Sequence, residues 1–145
     1  MFEKFTGADK NFLNEFEQLI GFELPADYSN FLLNTNGGTF KELEDSFLLK
    51  NIGEQIFIDC LFGFREERSL NLCNWYKEYE LELPQNTIII GNTYGASLII
   101  LIWDENAKGV YLWDDSLELE QSTEECCTYK ITETFEDFMN LLNIN

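Results

Sequence analysis

The chain has 145 residues with 27 Asp and Glu against 9 Lys and Arg, a formal net charge of -18, and no histidine. Its content of 45% hydrophobic and 15% aromatic residues allows a chain of this size to bury about 70% of the surface its unfolded form exposes. One domain over residues 1–145 is therefore expected, rather than disorder. Nine basic residues scattered from Lys4 to Lys130 build no stripe that could displace phosphate counterions. Nucleic acid and anionic membrane surfaces are disfavoured as direct partners. The absence of histidine removes Ser-His and Cys-His nucleophile activation and every His-containing metal site.

The four cysteines, Cys60, Cys73, Cys126 and Cys127, have no C-x-x-C spacing. They are expected as reduced, mostly buried thiols. Met1-Phe2-Glu3-Lys4-Phe5 has no basic region followed by an apolar stretch, and the longest apolar run is Leu98 to Trp103. No signal peptide or membrane span is expected, which points to the cytoplasm.

In chain order, Thr6-x-x-Asp9 has the form of a capping box, so a helix should follow. Phe12, Leu13, Phe16, Leu19 and Ile20 recur at spacings of three and four and should share its buried face, ending at Gly21. Pro25 suits the first turn of a second helix, with Tyr28, Phe31 and Leu32 inward. Asn36-Gly37-Gly38 should close it, since these residues tolerate positive φ. Strands are expected at Ser46–Leu49 and Gln55–Phe62, and a third helix from Ser69 to Tyr79. Thr87–Ile90, Leu98–Trp103 and Val110–Trp113 follow as strands. The second is apolar at every position and so should be central and buried on both faces. The last two should form an antiparallel hairpin, Tyr129–Ile131 an edge strand, and Thr134–Leu142 a final helix with Phe135, Phe138, Leu141 and Leu142 inward.

The loop Asp104-Glu105-Asn106-Ala107-Lys108-Gly109 opens like a calcium loop, but Lys108 stands where an oxygen ligand is needed and strands flank it. A turn with Gly109 at positive φ accounts for it. Pairs such as Asp114-Asp115 follow from composition, and the sequence gives no hint of two carboxyl groups held at hydrolase spacing in a cleft. No phosphate loop, nucleophile elbow or dinucleotide glycine pattern is present, and no cofactor is implied. From Asp114 to Glu125 the chain carries Asp114, Asp115, Glu118, Glu120, Glu124 and Glu125 with no basic residue. Such a stretch is either a solvated loop or a face for a basic partner. Trp75, Tyr76 and Trp113 could anchor an interface, though their phase favours packing.

Leu24-Pro25-x-x-Tyr28-x-x-Phe31-Leu32 followed by Asn36-Gly37-Gly38 resembles the opening signature of the SUKH superfamily, also called the SMI/KNR family. The similarity continues through Ile88-Ile89-Ile90-Gly91, the turn ending in Gly109, Val110-Tyr111-Leu112-Trp113-Asp114 and the Thr134-Phe135-Glu136-Asp137-Phe138 helix. It spans about Asn11 to Leu142. Many members place Gly-Asp just before the central strand, where this chain has Gly95-Ala96-Ser97, so no role of that Asp carries over. The resemblance implies an α+β fold, a twisted, mostly antiparallel sheet with helices around it. Leu24, Pro25, Tyr28, Phe31, Asn36, Gly37, Gly38, Gly91, Gly109 and Trp113 are then expected in packing, capping and turning roles.

Bacterial members of that family are often immunity proteins that bind a toxin, frequently a nuclease, and fungal members are scaffolds in cell-wall glucan synthesis. The expectation is accordingly a non-enzymatic immunity protein whose partner is a basic toxin domain. An envelope-regulating scaffold stands as the alternative, and a carboxylate-dependent hydrolase as a remote one. Residues 69–145 hold 14 acidic and 3 basic residues against 13 and 6 before them. The acidic surface is thus weighted toward the second half.

Overall fold

The computed structural model describes residues 2–41 and 45–142, and within them the chain forms an α+β fold of four α-helices and an eight-stranded sheet. Strand β1 (Phe2–Lys4) precedes α1 (Lys10–Ile20), α2 (Ala26–Asn34) and β2 (Gly38–Phe40). Strands β3 (Ser46–Leu49) and β4 (Glu54–Leu61) lead through a 3-10 turn at Arg68–Leu70 into α3 (Leu72–Tyr79). Then come β5 (Thr87–Thr93), β6 (Leu98–Ile102), β7 (Gly109–Trp113), β8 (Thr128–Thr132) and α4 (Phe135–Leu141).

The sheet order is β1-β2-β4-β5-β6-β7-β8, with every strand pair antiparallel. Strand β3 pairs with the first half of β4, ahead of the segment that meets β2. The β6–β7 hairpin forms as expected, and β8 closes the edge. All five residues of β6 are buried, as a central strand covered on both faces must be. A bulge lies between Ile89 and Gly91, and a Cβ on Gly91 would sit 2.5 Å from the Cys60 carbonyl oxygen. Only glycine lets β4 come that near.

Two helix starts differ from expectation. Asp9, not Thr6, caps α1, its Oδ1 accepting from the Asn11 amide at 2.9 Å. Pro25 stands one residue before α2 rather than in its first turn. On α1, Leu13, Phe16 and Ile20 are buried, but Phe12 is 54% and Leu19 38% exposed. At 100° per residue these two lie roughly 80° round the helix from the buried line, which places them on its shoulder. Leu141 is likewise 37% exposed rather than inward.

The segment expected as one helix from Ser69 breaks at Asn71. Its Oδ1 accepts from Cys73 N at 2.8 Å and Asn74 N at 3.2 Å, which restarts the chain as α3. At the end of α2, Asn36 (φ 58) and Gly37 (φ 84) both take left-handed backbone. A Cβ on Gly37 would overlap the Leu61 carbonyl. Buried Asn36 then joins the helical layer to the sheet, accepting from Phe64 N at 2.7 Å.

The other signature residues take packing and turning places. Leu24 and Tyr28 are sealed in the core, Phe31 lies 4.9 Å from the Phe135 ring, and Gly109 (φ 149) opens β7. Asp27 ties α2 to α4, its Oδ2 accepting from Glu136 N at 2.9 Å. The cysteines are all free thiols, but only Cys60 is fully buried. Cys73 and Cys127 are half-buried and Cys126 is exposed, against the expectation of mostly buried thiols.

Candidate protein-binding surface

Strands β6 and β7 pair Leu98 with Trp113, and β7 and β8 pair Trp113 with Thr128. One end of the sheet therefore gathers the β5–β6 turn at residues 94–97, the loop 114–127 and the last turn of α3. The aromatic residues form a ladder that leads there. Trp75 stacks on buried Phe62 at 4.8 Å and on Tyr79 at 5.9 Å, and Tyr79 meets Trp113 edge-on at 5.6 Å. Trp75, Tyr76, Tyr79 and Trp113 are each half-buried, so the ladder packs α3 on the sheet while leaving ring surface to solvent.

The loop is ordered around its first acid. Asp114 is fully buried, and this removes it from the set of exposed contact residues expected from the sequence. Its carboxylate accepts from Glu118 N at 3.0 Å, from Leu119 N at 2.9 Å and from the Ser122 hydroxyl. Ser122 Oγ lies 2.8 Å from the Tyr129 hydroxyl, and Asp114 N donates to the Cys127 carbonyl at 2.8 Å. A buried carboxylate that accepts several hydrogen bonds is a structural anchor. Asp115, Glu118, Glu120, Glu124 and Glu125 remain exposed on the loop it holds.

Two further acids join them. Burial, then Asp115, Glu78 and Glu82, push the Tyr79 hydroxyl above its ordinary pKa. Burial and then Asp114 likewise raise the Asp115 carboxyl. Asp115 thus acts on the same Tyr79 hydroxyl as Glu78 and Glu82, a neighbourhood that no local sequence pattern signals. Glu118 reaches across to the β5–β6 turn, its Oε2 lying 3.3 Å from where a Cβ on Gly95 would project. In that turn Ser97 is buried, its amide donating to Thr93 Oγ1 at 3.1 Å.

The rejected calcium-like loop is a turn, with Ala107 N donating to the Asp104 carbonyl at 3.0 Å and Lys108 Nζ lying 4.8 Å from the Trp103 ring centre. Among the described residues, no group of three or more Cys, Asp or Glu is placed to hold a metal ion. No helix among them is long and apolar enough to cross a membrane. A groove of about 1090 Å³ runs between β1, α2 and α4 past Phe31, Phe135 and Met139, with no residue of the acidic loop in its lining.

The model of the SMI1 / KNR4 family (SUKH-1) matches residues 7–141. The chain belongs to this family. A search among curated proteins finds no significant match. The SUKH-1 match covers the signature from Leu24 to Gly38, strands β2 to β8 and all four helices, leaving out β1, so it takes in both the helical layer and the acidic end. The family is associated with protein–protein interaction. The surface at the acidic end combines half-buried aromatic rings with exposed carboxylates on a loop ordered by Asp114.

Proposed function

We propose that this SUKH-1 chain is a cytoplasmic immunity protein that neutralises a basic toxin domain by stoichiometric occlusion, without catalysis. The observation that carries this reading is the acidic end of the sheet. There Asp115, Glu118 and Glu120 stand on a loop ordered by Asp114, and Glu78 and Glu82 adjoin them beside Tyr79 and Trp113. A nuclease toxin carries positive charge to meet phosphate, so a rigid acidic surface competes for the same ground. Long-range attraction speeds its capture, and the exposed ring faces supply apolar contact once the charges have steered the approach.

The test is binding to a basic toxin domain encoded beside this gene, followed by stopped-flow kinetics. Association should slow by about tenfold when Asp115, Glu118 and Glu120 are reversed together to Lys, with a smaller change in dissociation. Capture indifferent to both salt and this reversal would overturn the electrostatic reading. Several envelope-synthesis partners and no neighbouring toxin gene would favour the scaffold role instead.

A further inference from the structure

The shoulder of α1 and the start of α3 enclose a second surface with different chemistry. Phe12 is the most exposed aromatic residue of the described chain, and Leu19 stands two turns along the same line. With Phe64 and Cys73 they line a groove of about 520 Å³, whose charged residues are Glu15, Glu66, Arg65 and Lys77. Phe12 stacks on Phe64 at 6.0 Å, and Phe64 is pinned to Phe16 at 5.6 Å, so the apolar floor is fixed from below. Glu15 and Lys77 both act on the half-buried Cys73 thiol. Its pKa is raised by burial first, lowered by Lys77 and raised by Glu15. The two opposite charges therefore flank one apolar strip.

In a chain of net charge -18, most surfaces of two copies repel each other. This groove carries two acids and two bases, and Phe12, stacked over its Phe64 floor, leaves about half of its surface to solvent. We propose that it is a self-association surface, whose occupant is a second copy of this chain docked about a two-fold axis. In such an isologous contact each Phe12 enters the partner's groove and each Glu15 meets the partner's Lys77. Exposed apolar residues at i and i+7 on a helix otherwise covered on one side are accounted for by this contact.

Analytical ultracentrifugation of the full chain tests the proposal over about 1 to 500 µM protein. A concentration-dependent dimer is expected. Raising the salt should strengthen it, because the long-range repulsion between two acidic chains is screened while the apolar contact is not. Phe12→Ser should weaken the dimer at least about tenfold. Glu15→Lys and Lys77→Glu should each weaken it, and the two together should restore it, which simple unfolding cannot imitate. A monomer at every concentration and salt overturns the proposal. So does a dimer indifferent to these substitutions, or a monomer whose Phe12→Ser form loses only toxin binding.

Discussion

Helix α3 borders two surfaces of opposite character. Toward Trp113 its last turn presents Tyr79, whose hydroxyl is influenced by Asp115 as well as by Glu78 and Glu82. Toward α1 its Cys73, Asn74 and Lys77 look onto Phe12, Leu19 and Glu15. The first surface concentrates negative charge on an ordered frame, and the second balances charge over an apolar strip. A net charge of -18 is thus an average over regions that respond to their surroundings in opposite ways.

Salt gives the largest separation between them. Between about 50 and about 500 mM, the affinity of the acidic end for a basic partner should fall by about ten- to a hundredfold, mainly through the association rate. Self-association through the α1–α3 groove should strengthen over the same range. Measured on one preparation by biosensor kinetics and sedimentation, parallel salt responses would remove the distinction. Reversal of Asp115, Glu118 and Glu120 should slow capture while leaving self-association at high salt, where net repulsion is screened, unchanged, and Phe12→Ser should weaken self-association without slowing capture.

Next in size is Asp114→Ala. It leaves the Glu118 and Leu119 amides and the Ser122 hydroxyl without their acceptor, at a cost of about 2–3 kcal/mol in urea unfolding. Toxin capture should slow as well, because the exposed carboxylates lose their frame, while groove association at low denaturant stays unchanged. Equal stability of the variant and the parent would show that the loop does not depend on this carboxylate.

A buried polar group in the helical layer makes the contrasting case. Tyr28, on α2, is fully buried, and its hydroxyl has no hydrogen-bond partner among the described residues. Burial alone pushes its pKa upward. Asp114 is buried and satisfied, whereas Tyr28 is buried and unsatisfied, so their substitutions should have opposite signs. Tyr28→Phe keeps the ring contact with Phe135 at 4.9 Å and removes a hydroxyl that had given up water for nothing. It should therefore be neutral or raise stability by about 1 kcal/mol. A loss of 1 kcal/mol or more by chemical denaturation would mean that the hydroxyl has a partner after all.

Periodicity and turn chemistry made much of this fold legible. The apolar spacing of α1 and α4, the left-handed Asn36-Gly37 stop and the unbroken apolar run of β6 all acted locally, and the structure follows them. The short strands β1 and β2 escaped notice because three residues carry no usable period. Their pairing is decided by register, Phe2 opposite Phe40. Phe12 and Leu19 fitted the same helical repeat as Leu13 and Phe16, and only the width of the covered face separates them. At the site, composition located the loop from Asp114 to Glu125. It did not show that its first acid turns inward, since a buried carboxylate is recognisable only when the amides that point at it are known. Glu78 and Glu82 were invisible for a related reason. They share the Tyr79 hydroxyl with Asp115 across more than thirty residues of chain, and folding alone creates that.

The smallest expected effect concerns Asp115 and refines the view of the acidic end. Its carboxyl is raised above the ordinary carboxylate range, first by burial and then by Asp114. The folded state consequently holds this proton more tightly than the unfolded chain does. The group's stabilising contribution is present below the unfolded pKa and is lost as pH rises through the folded one. At neutral pH the ionised Asp115 therefore weighs against the folded state. Asp115→Asn should be slightly more stable than the parent near pH 7. The difference should close near about pH 3, where both side chains are uncharged. Because the group is largely exposed, solvent screening keeps the gain below about 1 kcal/mol. Urea unfolding at the two pH values checks it. A variant less stable at neutral pH would mean that Asp115 is held by an attractive partner, which the crowding of acids around Tyr79 argues against.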